Sequence, residues 1–358
     1  MVQRVLVFPG GMPRSLVEAE QLASKGHVVI GASSLEFDVA RHHYEEWRYL
    51  PFITSAQFDE KLRELLVELE VDSVYTPNLV VWNYLSTNLR RIAPHVVLAN
   101  QSPVDEALAG YRKTQQKAES FEKRAFEIGG MPEGASRLNN AQLASLTRYL
   151  DLIPGMCDDD KVQALLEVSR FAVEGDVVEI GTWWGKSAFV LARLARLYRL
   201  GALLCIDPWD DQHLVQDEKV VDSGSASISA NEAFDVFVMG LLPFSNGDIN
   251  YLKKTSVDAS SLYSCEKVVV TPEFGNTHYS GRISILHIDG NHAYEAVRSD
   301  VLAWSKFVCE GGWIILDDYI WPYGDGPKQV GDEFLSKFWM QIDCSFVMGT
   351  ALFIKMHR

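Results

Sequence analysis

The stretch HIDGNHAYEAVRSD, from His287 to Asp300, joins an apolar run to a helical pattern and carries reactive groups at the junction. Asp289, Asn291 and His292 fall within four residues there. A carboxylate can bind a cation, and an imidazole can take up and release a proton near neutral pH. The junction therefore predicts a catalytic site in which Asp289 and His292 act together.

Further acids stand at the ends of other apolar runs in the second half of the chain. Asp207 ends ALLCIDPWD, and Asp317 and Asp318 fall near the end of GGWIILDDY. Because ligands of open parallel sheets bind beyond the carboxyl ends of the strands, we expect these carboxylates to share one edge. The glycine-framed turn in VVEIGTWWGKS offers a ligand close backbone approach and free helix N–H groups. An acid placed like Asp207 can accept both hydroxyls of a ribose.

The elements that must position these residues alternate between strands and helices. RVLVFPGG, SLVEAEQLASKG, HVVIGAS, FDEKLRELLVELE and VDSVYTPN predict a first α/β region. GDVVEIG, KSAFVLARLARLYRL, ALLCIDPWD, DINYLKK, ISILHIDG, YEAVRSDVLAWSKFV and GGWIILDDY predict a second, and SFVMGTALFIKM closes it as two strands joined by a short turn. Unbroken Val, Ile and Leu runs are typical of parallel strands covered on both faces. The fold class is therefore α/β with two parallel sheets.

Composition and charge restrict the function further. The chain has 358 residues, and its formal net charge of −15 argues against a nucleic-acid partner. Its five cysteines form no CxxC pair and are expected to be reduced. The first apolar run is too short for a signal peptide, and nothing approaches the ~20 apolar residues that span a bilayer. We expect a soluble, cytoplasmic protein without a membrane partner.

Four motifs together resemble a known family. VVEIGTWWGKS, LLCIDPWD, IDGNHAYEAVRSDV and GGWIILDDY, in this order, are similar to class I S-adenosylmethionine-dependent methyltransferases. The nearest group is the metal-dependent O-methyltransferases that act on sugar hydroxyls of macrolides and related natural products. The resemblance runs from about Leu143 to the C-terminus and implies a Rossmann-like sheet that ends in an antiparallel hairpin.

The first part of the chain, up to about Lys117, resembles the small Rossmann-like domain that precedes the ATP-grasp fold in ligases. No ATP-grasp domain follows it, so the ligase activity is not implied. The predicted organisation is a pre-ATP-grasp-like domain over 1–117, a helical linker over 118–150 and the methyltransferase domain over 151–358. Gly10 and Gly11, at the end of the first strand, are the expected place for any ligand of the first domain.

The resemblance also implies roles for individual residues. The implied cofactor-binding residues are Glu179, Gly181, Thr182, Lys186, Ser187, Asp207, Ser256 and Asp258. The implied metal ligands are Asp289, Asp317 and Asp318, for which Mg²⁺ is the expected ion because all the donors are oxygen atoms. Asp289 and His292 are the expected catalytic residues, with His292 as the base, because Asn291 stands where some relatives have an acid.

The expected function is methyl transfer from S-adenosylmethionine to a hydroxyl of a small molecule, with a sugar or glycosylated natural product as the leading acceptor. A metal-independent N- or O-methyltransferase and a non-catalytic nucleotide-binding module stay open as alternatives. A homo-oligomer is also compatible with the helical linker.

Simpler structural roles stay open too. Asp317 and Asp318 could cap a helix, His292 could cap its own helix or pack on Tyr294, and Asp207 could be a turn residue before Pro208. Two irregular stretches, 222–233 and 271–281, are expected to be loops near the mouth of the second sheet, either as plain surface loops or as lids.

Overall fold

The computed structural model describes residues 2–131, 133–213 and 229–357. The chain divides into two compact units, Met1–Lys113 and Thr114–Arg358, and the boundary falls within one long helix. Each unit has a parallel sheet and an apolar core of its own. No helix among these residues is both long and apolar enough to cross a membrane.

The first unit contains a five-stranded sheet in the order β3-β2-β1-β4-β5, in which every pairing is parallel. Its strands are β1 (Arg4–Val7), β2 (Val28–Ser33), β3 (Glu46–Tyr49), β4 (Ser73–Tyr75) and β5 (Val97–Leu98). Its helices are α1 (Pro13–Ser24), α2 (Phe58–Glu68), α3 (Leu79–Ile92) and α4 (Pro103–Lys123), the last of which continues into the second unit. The predicted α/β class with a parallel sheet is confirmed for this unit.

Helix α3 shows how the local sequence builds this unit. The Asn78 side chain caps its first turn by accepting hydrogen bonds from the backbone N–H groups of Val80 and Val81. Its buried residues then recur at helical spacing, at Val81, Leu85, Leu89 and Ile92. Helix α3 was not among the predicted elements, and neither was β3, whose residues EWRY are mostly half-buried on an edge strand and show no apolar run.

The second unit contains a seven-stranded sheet in the order β13-β14-β12-β11-β6-β7-β8. Its strands are β6 (Asp176–Ile180), β7 (Leu203–Ile206), β8 (Ile249–Leu252), β11 (Ile283–Ile288), β12 (Val308–Leu316), β13 (Ile342–Met348) and β14 (Ala351–Met356). Its helices are α5 (Asn140–Leu150), α6 (Asp159–Arg170), α7 (Lys186–Tyr198), α8 (Ala230–Leu241), α9 (Ser256–Cys265), α10 (Tyr294–Trp304) and α11 (Gly326–Phe338). Strand β14 runs antiparallel to both β12 and β13, so the predicted C-terminal antiparallel hairpin is confirmed.

The central strands of this sheet are covered on both faces. Every residue of β6 and of β11 is buried. Successive residues point to opposite faces, so Val177 and Val178 belong to two separate apolar clusters, and so do Ile285 and Leu286. Both faces are therefore closed by packing, and the strand ends are where polar side chains gather.

The order of the strands fixes where a ligand can bind. From β6 the chain moves through β7 to β8 on one side, and it then returns to β11 and β12 on the other side. This reversal makes a topological switch point between β6 and β11, and ligands of open parallel sheets bind beyond the carboxyl ends of the strands at such a point.

The two stretches predicted as loops differ from that expectation. Residues 222–228 lie outside the described part of the chain, and from Ala230 onward the sequence forms helix α8, which is capped by Ser229. Residues 271–281 contribute to an antiparallel hairpin of β9 (Val268–Thr271) and β10 (Gly275–His278). The Thr277 hydroxyl of this hairpin donates to the carbonyl of Ile249, which begins β8, so the hairpin packs beside the sheet and is not a free loop.

Candidate functional site

A chain of buried charged groups crosses the carboxyl edge of the sheet. Glu179 of β6 and His287 of β11 face each other in register, and Glu179 Oε1 lies 3.0 Å from His287 Nδ1. On the other side of the ring, His287 Nε2 lies 3.6 Å from Oδ2 of Asp317, which directly follows β12. All three side chains are buried. The sheet register therefore places one imidazole between two carboxylates.

Lys161 completes this inner network. It lies in the first turn of α6, where its own N–H is bound by the Asp158 carboxylate, and its side chain is buried. Its Nζ contacts Asp317 Oδ2 directly and lies 3.5 Å from Asp289 Oδ2. A buried carboxylate needs a nearby positive charge, and Lys161 supplies that charge to Asp317.

The opposite charges in the network favour one another's ionised forms. Burial alone would lower the pKa of His287, but the Asp317 and Glu179 carboxylates outweigh it and raise that pKa to about 9. Burial likewise opposes the charged form of Lys161, yet the Asp317 and Asp289 carboxylates hold its pKa well above the ordinary value. Burial would raise the pKa of Asp317, but Lys161 and His287 hold it well below its ordinary range. Asp317 is thus an ionised carboxylate between two cations.

Asp289 stands at the boundary of this network. It directly follows β11, and its side chain is 22% exposed. Partial burial and the charge of Asp317 raise the pKa of its carboxyl well above the ordinary value, while Lys161 lowers it in part. A divalent cation would relieve the repulsion between these two carboxylates.

A more exposed group lies beside Asp289. His292 Nε2 is 3.1 Å from Asp318 Oδ2, and the two side chains are 14% and 26% exposed. The imidazole packs against the Trp321 ring, with 4.4 Å between the ring centroids. Ligand atoms of Asp289, His292 and Asp318 all lie within 4.8 Å of one another. The structure therefore brings together the two residues predicted as catalytic, Asp289 and His292, and two of the three predicted metal ligands, Asp289 and Asp318.

Several of the simpler roles considered for these residues do not hold. Asp317 and Asp318 do not cap a helix, because α11 begins later, at Gly326, after Asp325. The N-cap of α10 is Ala293, and the Asn291 side chain accepts a hydrogen bond from its N–H at 2.8 Å. The adjacent His292 ring packs on Trp321.

The glycine-framed turn after β6 is tightly built. Gly181 has a φ of 80°, and a side chain there would overlap the Asp289 carbonyl oxygen, so the turn lies directly against the turn that follows β11. Gly185, with a φ of 83°, precedes α7 without a side-chain cap. The remaining predicted cofactor residues of this turn are Thr182 and Ser187, which are buried, and Lys186, which is partly exposed.

Asp207 holds the neighbouring backbone. Its Oδ2 accepts the Trp183 N–H at 2.9 Å, and its Oδ1 accepts the Trp209 N–H at 2.7 Å. Both tryptophans have positive φ values, 49° and 41°, which are uncommon for bulky residues, so Asp207 stabilises two unusual turns. Burial raises the pKa of its carboxyl, although the two N–H donors lower it in part. The turn role of Asp207 is therefore observed, and its ribose-binding role stays a prediction.

The other predicted cofactor residues have partners within the protein. Glu179 is fully buried and directed at His287. Ser256 accepts a hydrogen bond from Trp304 Nε1 at 2.9 Å, and Asp258 accepts one from the Thr255 hydroxyl at 2.8 Å in the first turn of α9. These contacts stabilise the fold and leave the adenine-binding assignment of Ser256 and Asp258 a prediction.

Two members of the buried network were not assigned roles from the sequence. His287 reads as part of an apolar strand, and only the register of β6 and β11 shows that it faces Glu179. The position of Lys161 could have indicated a special role. A lysine in the first turn of a helix opposes the helix dipole and is more often found elsewhere. Its contact with Asp317 joins residues that are 156 positions apart.

Part of the second unit matches a known family model. Residues 178–319 match a family model described as a methyltransferase domain. No curated protein shows a significant match to the chain.

Three similar solved structures are also methyltransferases. The O-methyltransferase NovP is 17% identical, with 55% of this chain and 80% of that chain covered and a TM-score of 0.38. CalS11, a TDP-rhamnose 3′-O-methyltransferase of calicheamicin biosynthesis, is 13% identical over 72% of this chain and 96% of that chain, with a TM-score of 0.38. MycE of the mycinamycin pathway, in complex with Mg and SAH, is 15% identical. The match covers 52% of this chain and 46% of that chain, with a TM-score of 0.32.

Proposed function

We propose that the second unit transfers a methyl group from S-adenosylmethionine to a hydroxyl of a small molecule, with a sugar or glycosylated natural product as acceptor. The observation that carries this proposal is the group formed by His292, Asp318 and Asp289 at the switch point of the sheet. A base held by a carboxylate, beside a further carboxylate, is what proton removal from a hydroxyl requires.

In this proposal His292 is the general base. The Asp318 carboxylate, 3.1 Å from Nε2, orients the ring, holds the proton on that nitrogen and stabilises the positive charge that forms on the imidazole. The other ring nitrogen, Nδ1, takes the proton of the acceptor hydroxyl. The Trp321 ring packs against the imidazole and helps to hold it in place.

The cofactor site is proposed at the turn after β6. The N-terminus of α7 has no side-chain cap and leaves backbone N–H groups for a ligand. Each oxygen of Asp207 keeps a second acceptor position, so the carboxylate can bind ribose hydroxyls while it holds Trp183 and Trp209. When bound, S-adenosylmethionine supplies an electrophilic methyl carbon. Glu179 supports this site through its contact with His287.

A divalent cation would be held by Asp289 and Asp318, whose carboxylates suit Mg²⁺ or Mn²⁺. The resemblance implied Asp317 as a third ligand. We propose instead that Asp317 supports the site, because Lys161 and His287 already compensate its charge and would repel a second cation close to it. When bound, the cation would favour ionisation of the acceptor hydroxyl and fix its position.

Lys161 also supports a second candidate, methyl transfer without a metal. Its Nζ lies 3.5 Å from Asp289 Oδ2, so a positive charge already stands behind the carboxylate that would face the acceptor. In this alternative Asp289 accepts a hydrogen bond from a neighbouring hydroxyl of the acceptor and so orients it, and His292 alone removes the proton of the hydroxyl that is methylated.

Methyl transfer is tested with the full-length chain, isotopically labelled S-adenosylmethionine and a panel of sugars, glycosylated natural products and catechols. Mass spectrometry should show a labelled methyl group on an oxygen of at least one member of the panel. His292→Gln should lower kcat by about 10²-fold or more with little change in cofactor affinity, whereas the exposed His95→Gln serves as a matched control. An unchanged kcat in His292→Gln would remove His292 as the base.

The metal is tested separately by Mn²⁺ binding, followed by electron paramagnetic resonance. The two-carboxylate proposal expects Asp318→Asn and Asp289→Asn to weaken Mn²⁺ binding and Asp317→Asn to weaken it less. A stronger loss in Asp317→Asn would restore the ligand set implied by the resemblance. Full activity in EDTA, with no Mn²⁺ bound, would favour the metal-independent candidate.

A further inference from the structure

The first unit contains a cavity of about 640 Å³, within the range typical of small-molecule sites. Its lining comes from the first two turns of α1, the end of β4, the residues after β5 and the start of α4. None of these residues belongs to the candidate site of the second unit.

The cavity lies where the topology of this sheet predicts a ligand. From β1 the chain continues through β2 to β3 on one side, and β4 and β5 lie on the other side. The switch point is therefore between β1 and β4, and the cavity opens beyond the carboxyl ends of these strands. It is a built feature of a parallel sheet and not a gap between surface loops.

The neighbouring Pro-Gly-Gly turn is closely packed. A side chain at Gly10 would meet the Trp47 ring, and one at Gly11 would meet the Asp38 carboxylate. The cavity therefore does not open on that side of the glycines, and a ligand at Gly10 and Gly11 stays a prediction. The cavity lies instead on the side of Tyr75 and α4.

One wall of the cavity is held in place by hydrogen bonds. Asn100 Oδ1 accepts the Thr76 N–H at 3.2 Å, and its amide nitrogen donates to the carbonyls of Thr76 and Gln101 at 2.9 and 3.0 Å. These bonds fix the segment after β5 against the end of β4. Such a wall is formed before any ligand binds.

Polar groups inside the cavity are available to a ligand. Tyr75 is 7% exposed and lines the cavity, and its hydroxyl has no hydrogen-bond partner within residues 2–131, 133–213 and 229–357. Glu18 lines the same space and has no ion-pair partner in that part of the chain. Arg14 and Glu106 pair loosely at 3.8 Å.

Burial, and then the charges of Glu18 and Glu106, raise the pKa of the Tyr75 hydroxyl, so it is a neutral donor or acceptor.

The charges decide which ligand fits. Two carboxylates, Glu18 and Glu106, face one guanidinium, Arg14, and the chain as a whole carries a net charge of −15. A phosphate or carboxylate ligand would be repelled here, whereas an ammonium group would be attracted. Tyr75 and the Arg14–Glu106 pair can at the same time bind hydroxyl or amide groups.

We propose that this cavity is a second binding site, which takes a small molecule carrying a protonated amine next to hydroxyl groups. The amine lies against Glu18 and Glu106, and a neighbouring hydroxyl bonds to Tyr75. This site is independent of the methyl-transfer proposal, because no residue of it belongs to the second unit.

The proposal is tested with the full-length chain and three probes of similar size, namely glucosamine, glucose and glucose 6-phosphate. Calorimetry or saturation-transfer NMR should detect glucosamine, with weaker binding of glucose and none of glucose 6-phosphate. Glu18→Gln should weaken glucosamine binding about tenfold. Tyr75→Phe should weaken the binding of both glucosamine and glucose. Glu20→Gln, on the exposed face of the same helix, is the matched control and should leave binding unchanged.

Three results would overturn the proposal. These are equal binding of glucosamine and glucose, preference for the phosphate, and absence of glucosamine binding at about 10 mM. Binding of S-adenosylmethionine, measured in the same samples, reports on the methyl-transfer site independently. If the protein binds S-adenosylmethionine but not glucosamine, the cavity proposal has failed. If it binds glucosamine but not S-adenosylmethionine, the methyl-transfer proposal has failed.

Discussion

The two parallel sheets of this chain share a topology at their switch points but differ in how they treat charge there. At the edge of the seven-stranded sheet, Glu179, His287, Asp317 and Lys161 are buried against one another. At the edge of the five-stranded sheet, a neutral tyrosine lies beside the partly exposed pair of Arg14 and Glu106. The same backbone arrangement thus carries two different arrangements of charge, and the side chains at the strand ends decide which.

The difference has an energetic consequence. Buried ions lose their hydration and must be compensated by partners at close range, so removing one member leaves an uncompensated charge. An exposed pair stays hydrated and contributes little to stability. Substitutions in the two regions should therefore change the free energy of unfolding by different amounts.

The largest effect is expected from Lys161→Met. The substitution leaves Asp317 buried without its main counter-ion, and the free energy of unfolding should fall by about 3–5 kcal/mol. Urea unfolding measures this, with Lys328→Met as the control, since Lys328 pairs with Asp332 at 2.7 Å on the surface. Adding Asp317→Asn to Lys161→Met should recover part of the loss. Equal effects of the two lysine variants would show that the buried network is not what stabilises this edge.

Asp289→Asn should separate activity from stability. Its carboxyl has a raised pKa because of partial burial and Asp317, so removing the charge relieves repulsion, and the folded state should be no less stable. Turnover should nevertheless fall by about 10²–10³-fold, because a charged group that faces the acceptor is lost. Asp235→Asn, on the exposed side of α8, is the matched control. A variant that keeps its turnover would place the chemistry elsewhere on this edge.

The sequence predicted the sheets better than it predicted the contacts between their strands. Apolar runs such as ISILHI and GGWIIL mark buried strands directly, and the acids after them mark the carboxyl edge. Strand order does not follow from these runs, so the contact between Glu179 and His287 could not be predicted, and cofactor binding by Glu179 stays a prediction. Lys161 shows the same limit, because an apolar helix pattern does not reveal that one lysine points inward to an acid 156 residues away.

The N-terminal unit shows a second limit. The glycines after β1 are prominent in the sequence, but their space is filled by Trp47 and Asp38 from distant positions. The cavity instead involves Tyr75, whose place at the end of a three-residue strand gives no sign that its hydroxyl has no hydrogen-bond partner among the described residues. Side-chain types at strand ends could be read from the sequence, whereas their pairing depends on packing between distant segments.

A smaller effect is expected at Asp300, a buried carboxyl of α10. Burial raises its pKa from 3.8 to about 6, although a hydrogen bond with Ser256 lowers it in part. Because the folded state favours the protonated form, the stability that this group contributes is present at pH 4 and is lost as the pH rises through about 6. At pH 7.5 Asp300→Asn should therefore be more stable than the parent chain, by up to about 3 kcal/mol. Unfolding measured at both pH values checks this, and a constant difference would contradict it.

The smallest effect is expected in the first unit, where Arg14→Gln breaks the pair with Glu106. Arg14 is 54% exposed and the two charged atoms are 3.8 Å apart, so the free energy of unfolding should change by less than about 1 kcal/mol. High salt should remove even this difference, because exposed charges are screened within about 10 Å at 0.1 M. The loss of unfolding free energy in Lys161→Met should persist at the same salt concentration, because its partner Asp317 is buried. A salt-resistant loss in Arg14→Gln would mean that this pair is shielded like the buried network, and the contrast between the two strand edges would fail.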